Sequence, residues 1–305
     1  MNWNVAHRIA GIAANQAHRD LAVDRTGYVH VHRALRTAGL IGMAQPMPRL
    51  FGVYFSVHDN GPAVLLNADL DVITQRHTAA HELGHHRLGH RSAYDQEMDP
   101  ALRWGNGSWP EEEKVAEAFA AWFLMPRPAV LAALERVAGG PPRSPEHAYL
   151  VARALGTSYA GTVRHLVRLS QLDAGRAERW LKIAPAEVKR ALAQGAAVPA
   201  RSHVHVLTTA LHGRCLHVDV GDVLVLQSAG NSFGSLPTGL VPRPDAAAGD
   251  AEAGAAPEHC AALDVTAELG SPARLVIDVA GHDTPLVLTI RREVPRTGLD
   301  DVWPM

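Results

Sequence analysis

The sequence predicts an α+β protein in three parts: a helix-rich N-terminal domain over residues 1–138, a helical extension over 144–196, and a separate β-rich domain over 203–305. Three observations carry this. Helical runs bracket a β-hairpin pattern in the first half. Gly139-Gly140-Pro141-Pro142 then breaks the chain. Beyond residue 203, six short segments alternate or run apolar at strand length.

Residues 1–40 read as helices, Ala-rich from Val5 to Ala17 and from Val29 to Ala38. Arg49–Val57 and Ala63–Asn67 read as two strands joined by the turn Asp59-Asn60-Gly61-Pro62. A helix follows. Ile73 to Ala80 contains no Gly or Pro and leads into His81-Glu82-Leu83-Gly84-His85, an H-E-x-x-H motif. On a helix, His81 and His85 lie one turn apart and leave the same face, so two neutral imidazole nitrogens can bind one Zn2+. Zn2+ lowers the pKa of a bound water to ~7, and Glu82 is placed to take its proton as general base. Eighteen histidines make a chance match conceivable. The small or apolar Thr78, Ala79, Ala80 and Leu83 argue instead for a buried site helix.

A catalytic zinc site takes three protein ligands. The pattern H-E-x-x-H-x-x-G-x-x-H is excluded, because Leu88 stands at its Gly position and Arg91 at its final His. His86 is rotated by about 100° around the helix from His85. His90 remains a weaker alternative ligand. The other solution is a Glu from a following helix, a gluzincin-like arrangement. Glu111 to Met125 supplies that helix: Pro110 starts it, acids fill its first turn and Pro126 ends it. Its apolar face is Val115, Ala116, Phe119, Ala120, Phe123 and Leu124. Glu113 and Glu117 stand one turn apart, so either reaches a metal while the other orients a ligand histidine. Ser92 to Ser108 reads as a loop near the cleft, with Tyr94 and His90 as candidates to stabilise an oxyanion. A strand beside such a site often pairs with extended substrate, a role that falls here on Phe51–Phe55 or Ala63–Asn67.

Val151 to Ser158 followed by Tyr159 to Leu169 has the spacing of a helix-turn-helix, with Arg164, His165 and Arg168 on the second helix. Nine Lys/Arg against four Asp/Glu between Arg143 and Arg190 allow DNA contact. The plainer reading, helices that pack on the N-terminal domain, is preferred. Val204–Thr208, Cys215–Val220, Asp222–Gln227, Ala261–Ala267, Ala273–Val279 and Pro285–Arg291 read as strands of a small sandwich or barrel. Pro242 to Pro257 reads as a mobile loop.

Gln75 to His85 resembles the Q-R-F-T-x-A-H-E-L-G-H signature of the ImmA/IrrE metallopeptidases, and Glu113 to Pro126 resembles their second signature, E-x-x-A-N-x-F-A-A-x-L-L-M-P. The resemblance covers roughly residues 1 to 180. It implies zinc bound by His81, His85 and Glu113, with Glu82 as the base. His77 stands for the usual Phe and Glu117 for the usual Asn. Glu117 is kept as a group that holds a ligand histidine. The resemblance also implies a substrate: a helix-turn-helix, DNA-binding repressor, cleaved to derepress stress-response or mobile-element genes.

Composition sets the outer bounds. Hydrophobic content of 47% and charged content of 20% suit a folded chain, and a net charge of −2 gives no global drive toward nucleic acid or membrane. Cys215 and Cys260 form no C-x-x-C motif. No run approaches 18 apolar residues and the N-terminus carries no cleavage site, so a cytoplasmic protein without a transmembrane helix is expected. Two competing readings stay open. One is a zinc-containing regulator that binds a repressor or DNA without cutting. The other is a toxin-antitoxin or phage-defence component. The intact Glu82 favours the peptidase.

Overall fold

The computed structural model describes residues 1–96, 109–195, 198–226, 232–233, 235–243 and 262–299. Its contacts gather the chain into two units. The first comprises Met1–Ala133, Leu155–His165 and the chain from Pro295; the second comprises Leu134–Ala154 and Leu166–Val294.

The first unit opens with α1 (Trp3–Asp20), capped by the Asn2 side chain on Val5 N, and α2 (Val31–Thr37). Strands β1 (Ile41–Gln45), β2 (Leu50–Phe55) and β3 (Ala63–Asn67) follow. Helix α3 (Val72–Leu88) carries the His motif, and β4 (Ala93–Gln96) and α4 (Glu111–Leu124) complete the part that forms the site. The expected hairpin is present as antiparallel β2 and β3, with Val53 opposite Leu65. The sheet order is β13-β1-β3-β2-β4, where β13 (Gly298–Leu299) comes from the far end of the chain.

Two expectations change here. Ser92 to Ser108 is not loop throughout: Ala93–Gln96 pairs with β2, while 97–108 lie outside the described residues. Neither strand named as the substrate's partner has a free edge. β3 is hydrogen-bonded on both sides, and β4 covers the open side of β2. Among the described residues β4 is the outermost strand on that side.

Helix α3 starts where the Asp71 carboxylate accepts from Ile73 N and Thr74 N, each at 3.0 Å, and stops at Gly89 with φ 69°. It is buried almost continuously from Gln75 to His85. α4 packs on it through Phe119, whose ring carbon would lie 3.1 Å from a Cβ at Gly84. The Gln75-Arg76 pair ahead of the motif is structural. Gln75 bonds the backbone of Asn67 and Arg296. Arg76 is 3% exposed, donates to the carbonyls of Val29 and Gly156, and lies 3.8 Å over the Tyr28 ring.

Further helices are α5 (Arg127–Ala138), α6 (Pro145–Leu155), α7 (Tyr159–Arg168), α8 (Ala174–Leu181) and α9 (Pro185–Leu192). On α7, His165 is 2% exposed and bonds the Met125 carbonyl at 2.9 Å, so it is spent on packing.

The β-rich region holds two four-stranded sheets. One runs β5 (Val204–Leu207), β7 (Val223–Leu226), β10 (Ala262–Val265), β9 (Leu240–Pro242). The other runs β6 (Cys215–Val218), β12 (Leu286–Arg292), β11 (Ala273–Asp278), β8 (Ser232–Phe233). Leu224 and Leu263 of the first sheet share one apolar cluster with Leu275, Ile277 and Leu288 of the second, the core of a small sandwich. Most of Pro242–Pro257, and Cys260, lie outside the described residues.

Candidate metal centre

The site lies in the first unit, where α3 meets α4. His81 and His85 leave α3 one turn apart and are each no more than 1% exposed. Their Nε2 atoms stand 3.0 Å apart. The Glu113 carboxylate reaches from α4 to lie 3.1 Å from His81 Nε2 and 3.5 Å from His85 Nε2. One ligand atom from each of these residues falls within 4.8 Å of the others. The three separations match the edges, about 3.3 Å, of a tetrahedron with arms of about 2.0–2.1 Å.

Burial alone would raise the Glu113 carboxyl, but the imidazoles of His81 and His85 outweigh it and hold the group well below the usual carboxylate range. The carboxylate is therefore ionised. His85 Nδ1 faces His90 Nδ1 at 3.0 Å. Burial, with His85 alongside, pushes His90 down to about 4, so His90 is neutral. With His85 Nδ1 engaged by His90, His85 Nε2 faces Glu113 and His81. Two buried imidazole nitrogens and an ionised carboxylate thus converge on one point, an arrangement that a cation would neutralise. The donor set of two imidazoles and a carboxylate suits Zn2+.

Glu82 is fully buried beside this cluster, under β2. A Cβ at Gly52 would lie 2.6 Å from Glu82 Oε1 and 2.6 Å from Thr78 Cγ2, so only glycine lets the strand come this close to Glu82. Glu117 accepts from His77 Nε2 at 2.9 Å. The same oxygen lies 3.6 Å from His81 Nδ1, beyond a hydrogen bond but on the side of the ring away from Glu113. Tyr54 is 2% exposed, stacks on His85 with centroids 6.3 Å apart, and bonds His86 Nδ1 at 3.2 Å.

The structure thus gathers His81, His85 and Glu113, with Glu82 and Glu117 beside them. His90 does not join the group as a ligand. It meets the opposite nitrogen of His85, five residues further along, where the chain leaves the helix. The Tyr94 side chain lies outside the described residues. Gly52 was not anticipated, although an isolated Gly within Leu-Phe-Gly-Val-Tyr-Phe signals close approach by a neighbour.

Residues 49–139 match the family model Peptidase_M78, described as the IrrE N-terminal-like domain. The match begins just before β2 and ends just after α5, so it takes in all five site residues. Over these residues the chain is similar to that domain, in line with the resemblance carried by the two motifs. No curated protein matches the chain. Among the described residues, no single helix is long and apolar enough to cross a membrane.

Proposed function

We propose that the chain is a zinc-dependent endopeptidase of the gluzincin type. The observation that carries the reading is the convergence of His81 Nε2, His85 Nε2 and the ionised Glu113 carboxylate, with Glu82 alongside. His81, His85 and Glu113 would hold the metal. When bound, Zn2+ supplies Lewis acidity toward the scissile carbonyl and toward water. Glu82 removes a proton from the attacking water and later delivers it to the leaving amine. His90 engages His85 Nδ1, and Glu117 steadies the outer side of His81. β4 offers an unpaired edge among the described residues, and an extended substrate backbone can add to it.

The substrate follows from the ImmA/IrrE resemblance: a helix-turn-helix repressor whose cleavage derepresses stress-response or mobile-element genes. No observation favours direct DNA binding over this, since His165 of α7 is buried.

The test is zinc content and cleavage, read together by mass spectrometry on wild type, Glu82→Gln and Glu113→Gln, each incubated with a helix-turn-helix repressor of the same genome. The expected result is zinc kept in Glu82→Gln, zinc lost in Glu113→Gln, and one discrete cut by wild type alone. Stoichiometric zinc with no cleavage by wild type would favour the non-cutting regulator. Full zinc retention in Glu113→Gln would remove Glu113 from the ligand set.

A further inference from the structure

The second unit contains a cavity of about 370 Å3, within the range of small-molecule sites. Leu150, Leu192 and Leu216 form its apolar wall. Arg136, Arg153, His205, Ser144 and Thr208 supply its polar groups, and Glu146 is the one carboxylate among its lining residues.

One feature separates this cavity from ordinary packing. Arg136, half-buried on its wall, has no carboxylate partner among the described residues, and burial first, then the nearby Arg214, lowers its pKa from the ordinary guanidinium value. A structural ion cluster would pair its arginine with a carboxylate, because a buried charge left open is costly. A ligand site keeps such a group open for its occupant.

We propose that this cavity binds a small organic anion, a carboxylate or phosphate carried on an apolar body about the size of a benzene ring. The guanidiniums of Arg136 and Arg153 take the anionic group and the leucines hold the apolar part. Ser144 and Thr208 offer hydroxyls to the same head group. The proposal is independent of the peptidase reading.

The test is calorimetric titration of the full chain with phenyl phosphate, benzoate, inorganic phosphate and benzyl alcohol. Phenyl phosphate or benzoate is expected to bind saturably, one per chain, and the tighter of the two identifies the head group. Inorganic phosphate should bind more weakly, and benzyl alcohol should give no saturable heat. Arg136→Gln, at a half-buried position that tolerates the change, should weaken binding about tenfold or more, with part restored in Arg136→Lys. Leu150→Trp, which fills the cavity, should abolish it. Absence of saturable binding by both aryl anions would overturn the proposal. So would affinity unchanged in both Arg136→Gln and Leu150→Trp.

Discussion

At the scale of single residues, the chemistry hangs on contacts that the motif does not contain. Gly52 is the sharpest case. β2 is held on both sides by β3 and β4, so its backbone cannot retreat from an added methyl. In Gly52→Ala the new carbon would meet Glu82 Oε1 and Thr78 Cγ2 at 2.6 Å, and the carboxylate is what gives way. Displacing a proton-transfer group by about 1 Å costs about a hundredfold in rate. Peptide turnover is expected to fall by that order while zinc content stays stoichiometric. Loss of zinc in step with activity would show that the substitution disrupts the metal centre rather than the base. On the proposed reading, Glu117 acts through the metal site instead. Groups that hold a ligand histidine typically cost 10–100-fold in metal affinity when removed. Glu117→Ala should weaken zinc retention against a competing chelator by that order, and His77→Phe should do so less, because His77 acts only through Glu117. The juxtaposition of His81, Glu82 and His85 was legible in the sequence, since H-E-x-x-H encodes its geometry in one helical turn, while Glu113 was singled out from Glu117 only by the resemblance. The His77–Glu117 contact was not. Two positions forty apart each read as an isolated departure, and only the packing of α3 on α4 shows them to be partners.

At the scale of elements, the sequence was most readable where local signals are strong. Proline and acidic residues marked the start of α4, and the Asp59-Asn60-Gly61-Pro62 turn marked the hairpin. It was least readable where pairing is distant. β1 is five residues of Ile-Gly-Met-Ala-Gln, with little strand propensity of its own, and it exists because it pairs in parallel with β3. β4 and the two-residue β13 likewise owe their conformation to neighbours that no local pattern announces. The element that matters most to the site is the α3–α4 contact, centred on the fully buried Phe119 against Gly84. Phe119→Ala removes the ring that keeps Glu113 opposite His81 and His85. A buried Phe→Ala change costs about 3–5 kcal/mol. Chemical denaturation should show that loss in the first unit, and zinc should restore part of it, because a ligand that binds only the folded state stabilises it by mass action. An undiminished unfolding midpoint would place the structural weight of α4 elsewhere.

At the scale of the whole molecule, sequence order and contact order differ. The Gly139-Gly140-Pro141-Pro142 break lies inside the second unit, while the last described residues from Pro295 return to the first. Breakers mark where a helix must end, not where packing divides, and the latter depends on long-range contacts. The second unit also holds an acid-responsive network of its own. Burial, with Arg153 beside it, pushes His203 down to about 3. Asp222, which bonds both His205 and the His203 backbone, is likewise held below the usual carboxylate range: burial opposes this, and the hydrogen bond and charge of His205 outweigh it. In the unfolded chain a histidine titrates near 6.5. Between that value and about 3, the unfolded state therefore binds a proton at His203 that the folded state refuses. Stability from this group is fully present above about pH 6.5 and is lost progressively as pH falls through that window, by at most about 1.4 kcal/mol per pH unit. Asp222 adds a loss in the same direction, below the ordinary aspartate range near 3.9. Unfolding free energies at pH 7.5 and pH 5 should accordingly differ, with the lower value at pH 5. His203→Gln, which cannot titrate, should flatten the dependence even if it lowers stability at both pH values. An unchanged slope in that variant would assign the acid response to other histidines.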